Sequence, residues 1–141
     1  MTILVVDDQP EIRSMFTALF EDEGYSVVCA ANGREALDYL HQTTDLPGVI
    51  LLDLAMPIMT GWEFIREQQC DPRLAAIPVI LMTARGYFEQ DGAGIYAAYY
   101  LPKPTDLDRI LSAVRELYKR VVSTTQGVER TVDGARALGE R

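Results

Sequence analysis

Five polar residues stand where short apolar runs give out. Asp7 and Asp8 follow "TILVV", Asp53 follows "GVILL", Thr83 follows "IPVILM", and Lys103 comes two residues after "YYL". Adjacent carboxylates repel each other, so a buried run that ends in two of them calls for a nearby cation. Three carboxylates with no histidine or cysteine among them are a hard-oxygen donor set, suited to Mg²⁺ or Mn²⁺ rather than zinc. A carboxylate beside such an ion can attack phosphorus and form an aspartyl-phosphate. A lysine and a hydroxyl can then take the remaining oxygens of the transferring phosphoryl group. Taken singly, Asp8, Asp53 and Thr83 could each be a helix cap, and Lys103 a solvated lysine. Their convergence on one edge of one sheet is what gives the set meaning.

The elements that must position them alternate along the chain. Ile3–Asp7 is expected to be a first strand. Ile12, Met15, Phe16, Leu19 and Phe20 recur at helical spacing between Pro10 and Gly24. Ser26–Ala30 is a second strand, and Asn32 can cap a helix carrying Ala36, Leu37 and Leu40. A third strand ends at Asp53, and a helix runs from about Gly61 to Cys70, stopped by Asp71-Pro72. "IPVILMT" is a fourth strand. A helix is due between Arg85 and Ala98, but Gly86, Gly92 and Gly94 each cost roughly 1 kcal/mol against alanine, so a short, distorted or mobile one is expected. "YYL" is a fifth strand. Thr105 and Asp108 resemble a capping box opening a last helix with Leu107, Ile110, Leu111, Val114, Leu117 and Val121 on its apolar face. Apolar, non-alternating strands separated by helices imply an α/β fold, a doubly wound parallel sheet of five strands with helices on both faces. Ligands of such sheets sit beyond the carboxyl ends of the strands.

Composition sets bounds. At 141 residues one domain is expected. No apolar block reaches the roughly 18 residues of a membrane span, and no signal peptide is evident, so a cytoplasmic location is expected. A net charge of −8 argues against nucleic acid as a partner. Cys29 and Cys70 have no metal-binding spacing and are expected to be buried free thiols. His41 is the one histidine; it is expected to be exposed at the end of the second helix, and it supplies no metal site.

The blocks "VVDDQPEIR", "VILLDLAMPIMTGWEF", "IPVILMTA" and "YLPKP" resemble, in order and spacing, those of the receiver domain of bacterial two-component response regulators. The resemblance runs from Thr2 to Val122. It implies a flavodoxin-like, CheY-like (βα)5 sheet with strand order 2-1-3-4-5. It further implies that Asp53 is the phospho-acceptor and that Asp8 binds the metal directly, with Asp7 acting through water. The backbone carbonyl of Ala55 matches the third protein ligand. Thr83 matches the hydroxyl that contacts the phosphoryl group, with small Ala84 beside it, and Lys103 the phosphate-contacting lysine, before a Pro104 bond usually cis in the family. Tyr100 matches the switch aromatic that turns inward when the threonine moves.

By the same resemblance the chain is a phosphorylation-activated switch of a phosphorelay. It takes its phosphoryl group from a sensor histidine kinase or a phosphotransfer protein in a Mg²⁺-dependent reaction. It would catalyse its own phosphorylation and autodephosphorylation without being a metabolic enzyme, and signal by contact with a downstream protein. A homodimer stays open. Residues 1–122 form the expected receiver and 123–141 a tail without an effector domain. For that tail, a short helix bearing Val128, Val132 and Ala135 and a disordered segment both stay open. A stand-alone regulator is favoured over an excised receiver. Two other functions compete. A haloacid-dehalogenase-type phosphohydrolase needs two aspartates spaced by one residue, and here they are adjacent. A degenerate receiver, acting as a phosphorylation-independent binding module, would be recognised by failure to bind Mg²⁺.

Overall fold

The computed structural model of the protein describes residues 1–84, 99–103 and 106–134, with side-chain surroundings for 1–82, 101 and 106–120. The helix expected between Arg85 and Ala98, together with Pro104 and Thr105, lies outside these residues. In chain order the elements are β1 (Thr2–Val6), α1 (Pro10–Asp22), β2 (Ser26–Ala30), α2 (Gly33–Gln42), β3 (Val49–Asp53), α3 (Gly61–Gln69), β4 (Val79–Ala84), β5 (Tyr99–Lys103) and α4 (Leu107–Gly134).

The five strands form one parallel sheet in the order β2-β1-β3-β4-β5. β1 and β3 are the inner pair, in register from Ile3 opposite Val49 to Val6 opposite Leu52. Because successive strand residues face opposite sides, each central strand feeds two cores. Leu4, Val6, Ile50, Leu52, Val79 and Leu81 pack beneath α2 and α3 with Leu37, Phe64 and Ile65. Ile3, Val5, Val49, Leu51, Ile80 and Met82 pack on the other side with Phe16 and Phe20 of α1 and Ile110, Val114 and Leu117 of α4. A strand buried on both faces must be apolar throughout, and all five residues of β3 are buried.

Local chemistry sets the helix ends. The Asn32 side chain accepts the Glu35 N–H, and the Glu35 carboxylate accepts the Ala31 N–H in return. Thr60 and Glu63 close a reciprocal capping box at the start of α3, pinning the loop that descends from Asp53. At the end of α1, Gly24 takes φ +95°, a left-handed conformation that a side chain would disfavour.

Several sequence expectations need correction. The capping box expected at Thr105 and Asp108 lies partly outside the described residues; at the helix start the Asp106 carbonyl accepts the Ile110 N–H and its carboxylate the Asp108 N–H. Leu107, expected on the apolar face, is exposed because it occupies the first turn, above the covered part of the helix. Both cysteines are exposed rather than buried. Cys29 lies on β2, an edge strand covered only in part, and Cys70 is the C-cap of α3. α4 itself runs on through residues 123–134. His41 lies in the last turn of α2, exposed as expected, 3.5 Å from the Asp71 carboxylate.

Candidate functional site

The parallel order places a change of winding direction between β1 and β3, and the crevice beyond their carboxyl ends is where such sheets hold ligands. β1 ends at Val6, so the next two residues, Asp7 and Asp8, leave the sheet at this edge. β3 ends on Asp53 itself. The carboxylates of Asp7, Asp8 and Asp53 come together, each offering an oxygen within 4.8 Å of the others. Asp7 is 0 % and Asp53 4 % exposed, whereas Asp8 reaches solvent.

Among the described residues, hydrogen bonds hold Asp7 at three points. Its N–H donates to the Ala30 carbonyl at 3.1 Å, its Oδ1 accepts the Gln9 N–H at 2.9 Å, and its carbonyl accepts from Arg13 Nη1 at 2.8 Å. Asp53 is fixed through its strand: it pairs with Met82, and the following Leu54 N–H donates to the Met82 carbonyl at 3.0 Å. The Gly61 N–H then donates to the Leu54 carbonyl at 2.8 Å and folds the loop back against the strand end.

The register carries the remaining candidates to the same edge. Met82 lies opposite Asp53 and Leu101, so Thr83 is one step farther out, opposite Pro102. Lys103 is one step beyond that, opposite Ala84. The backbone of Tyr100 is inside the sheet, opposite Leu81. The side chains of Thr83, Tyr100 and Lys103 lie outside the described residues. Ala55, in the loop after Asp53, is exposed.

Sequence alone does not single out Arg13, Gln9 or Gly61. Gln9 follows Asp7 by two residues, the spacing of a local side-chain-to-backbone turn, and that signal was available. Arg13 carried a weaker one: it falls in the first turn of the helix that begins just after the acidic pair.

Three carboxylates this close repel one another unless positive charge accompanies them. The donor set fits a divalent cation of the Mg²⁺ type, being all oxygen, few in number, and open to water at Asp8. Among the described residues no helix is long and apolar enough to cross a membrane.

The chain is similar to several known proteins. Response regulator Rre1 of Synechocystis sp. is 36% identical over 123 residues, covering 85% of this chain and 52% of that protein, so the chain spans about half the length of this relative. Sporulation initiation phosphotransferase F of Bacillus subtilis is 38% identical over 116 residues, covering 81% of this chain and 90% of that one. Among solved structures, response regulator protein TrrA of Thermotoga maritima, in complex with Mg²⁺-BeF, superposes with a TM-score of 0.72 at 31% identity, covering 82% of this chain and 97% of that one. The sequence model of the family described as "Response regulator receiver domain" matches residues 3–115. The chain therefore belongs to the response regulator receiver domain family.

Proposed function

We propose that Asp53 accepts a phosphoryl group from a phosphohistidine on a sensor histidine kinase or phosphotransfer protein, and that the phosphorylated chain signals through contact with a downstream protein. The observation that carries this is the meeting of Asp7, Asp8 and Asp53 at the carboxyl edge of β1 and β3. An Asp53 carboxylate oxygen forms the new bond to phosphorus as the bond from phosphorus to the histidine nitrogen breaks. Asp8 and Asp53, with Asp7 through water and the Ala55 carbonyl, would hold Mg²⁺, whose charge offsets the negative charge of the phosphoryl oxygens. Lys103 and Thr83 contact those oxygens, and Tyr100 reports the change to the surface. The backbone register that carries Thr83 and Lys103 beyond Asp53 supports these roles. A net charge of −8 supports protein rather than nucleic acid as the downstream partner, and the proposed location is the cytoplasm.

The test is intact mass after incubation with acetyl phosphate. Wild type with Mg²⁺ is expected to gain about 80 Da, the mass of one phosphoryl group. Wild type in EDTA and Asp53→Asn with Mg²⁺ are expected to gain nothing. A wild type that never gains mass, or an Asp53→Asn variant that does, would overturn the assignment, and the first result would point to a binding module independent of phosphorylation.

A further inference from the structure

Arg13 stands in the first turn of α1, half-buried, and reaches back six residues to the carbonyl of Asp7. A guanidinium is charged at any pH the protein meets and presents five N–H groups, of which this bond uses one. A residue's carbonyl oxygen and its own carboxylate are a few covalent bonds apart, so the Arg13 charge sits within about 8 Å of the Asp7 carboxylate. That is comparable with the screening length of physiological salt, which is roughly 8 Å, and screening is weaker where groups are buried. The backbone that carries this side chain is itself held: the Arg13 N–H donates to the Gln9 carbonyl at 3.1 Å, and the Arg13 carbonyl accepts from Thr17 Oγ1 at 2.8 Å.

We propose that Arg13 is a positioning residue that sets the divalent-cation affinity of the Asp7–Asp8–Asp53 pocket. This rests on the metal-binding part of the function proposed above. Its permanent charge offsets part of the repulsion among the three carboxylates, so the pocket stays assembled without metal. The same charge opposes an arriving cation. Mg²⁺ is thereby held more weakly than three carboxylates alone would hold it, and its occupancy can follow its concentration.

Calorimetric Mg²⁺ titration of wild type, Arg13→Met and Arg13→Lys at low and high KCl tests this. Wild type must bind Mg²⁺ first; if it does not, the metal-binding assignment itself fails, before Arg13 is at issue. Arg13→Met keeps the aliphatic stem and loses the charge. It is expected to bind Mg²⁺ about three- to tenfold more tightly at low salt, with the difference shrinking as KCl rises. Arg13→Lys is expected to stay within about twofold of wild type, since it keeps the charge. Melting in EDTA gives a second readout: Arg13→Met should melt below wild type and recover more than wild type does on adding Mg²⁺. Equal or weaker Mg²⁺ binding by Arg13→Met, or a difference insensitive to salt, would overturn the proposal. So would a melting loss that Mg²⁺ does not recover, because a purely structural bond behaves that way. If Arg13→Met does not fold, Arg13→Gln takes its place with the same expectations.

Discussion

Gly61 shows how closely one residue can be tied to the acceptor. A Cβ there would lie 2.8 Å from the Leu54 Cα and 2.9 Å from the Asp53 carbonyl oxygen, both backbone atoms of the strand end that presents Asp53. Neither can turn aside as a flexible side chain can. Gly61→Ala is therefore expected to cost about 1–3 kcal/mol in urea unfolding, and to slow phosphoryl acceptance from acetyl phosphate in the fraction that remains folded. Unchanged stability and unchanged acceptance would show that the loop yields without moving Asp53. At Gly33 the three atoms nearest the added one all belong to the Met59 side chain, so Gly33→Ala serves as the milder comparison. Much of the site was legible at this scale. Asp7, Asp8 and Asp53 declare themselves because an apolar run that ends in a carboxylate is unusual. Arg13 and Gly61 do not, because their importance lies in a turn that brings them back onto residues six or seven positions earlier. Ile58 was equally hidden. It holds φ +70° while the Met59 N–H donates to the Pro57 carbonyl at 2.7 Å, a strained γ-turn, and its side chain is 79 % exposed. Nothing in a β-branched residue announces a left-handed backbone.

Elements are held to one another by contacts that no local pattern encodes. The turn between α1 and β2 is fastened to α4 by a short aromatic series. Phe16 stacks on Phe20 at 5.8 Å, Phe20 meets Tyr25 edge-on at 6.4 Å, and Tyr25 meets Tyr118 edge-on at 6.1 Å. Beside it, Arg115 Nη2 donates to Glu23 Oε1 at 2.7 Å, across 92 residues of sequence. Burial raises the Tyr25 hydroxyl above its ordinary value of 10.0; Arg115 opposes this, and Glu23 and Tyr118 add to it. An unfolded tyrosine would ionise first as pH rises, so the stability Tyr25 contributes is intact below that ordinary value and is lost as pH climbs through and beyond it. Denaturant unfolding from about pH 9 to 11 should show Tyr25→Phe losing less stability than wild type. Equal losses would mean the hydroxyl ionises as freely folded as unfolded. Sequence periodicity placed α1 and α4 correctly but could not pair Glu23 with Arg115. It also misjudged Cys29, since strand type is written locally and edge position is not.

Over the whole molecule, a bound metal would couple the site to the fold. A ligand that binds only the native state stabilises it according to how far its concentration exceeds the dissociation constant. Wild type in excess Mg²⁺ should therefore melt several degrees above wild type in EDTA. Asp8→Asn, which removes the solvent-open carboxylate, should melt at nearly the same temperature in both. A Mg²⁺ increment that survives Asp8→Asn would place the ion elsewhere. A parallel sheet covered on both faces was legible because its strands are apolar throughout, whereas the strand order came only with the resemblance of the motif blocks. The reach of α4 was not. Val121, Val122, Thr124 and Thr125 are β-branched and favour helix only weakly, so propensity gave no reason to extend it.

That reach has a mechanical consequence. α4 is 28 residues long, about 42 Å at the α-helical rise, and among the described residues its last buried side chain is Leu117. From Leu117 to Gly134 the helix runs a further 17 residues, about 25 Å. A tilt of roughly 10° at the base of such a rod sweeps its far end through about 4 Å. A repacking under Ile110, Val114 and Leu117 that tilted the helix would thus reach Gly134 as a displacement larger than a hydrogen bond is long.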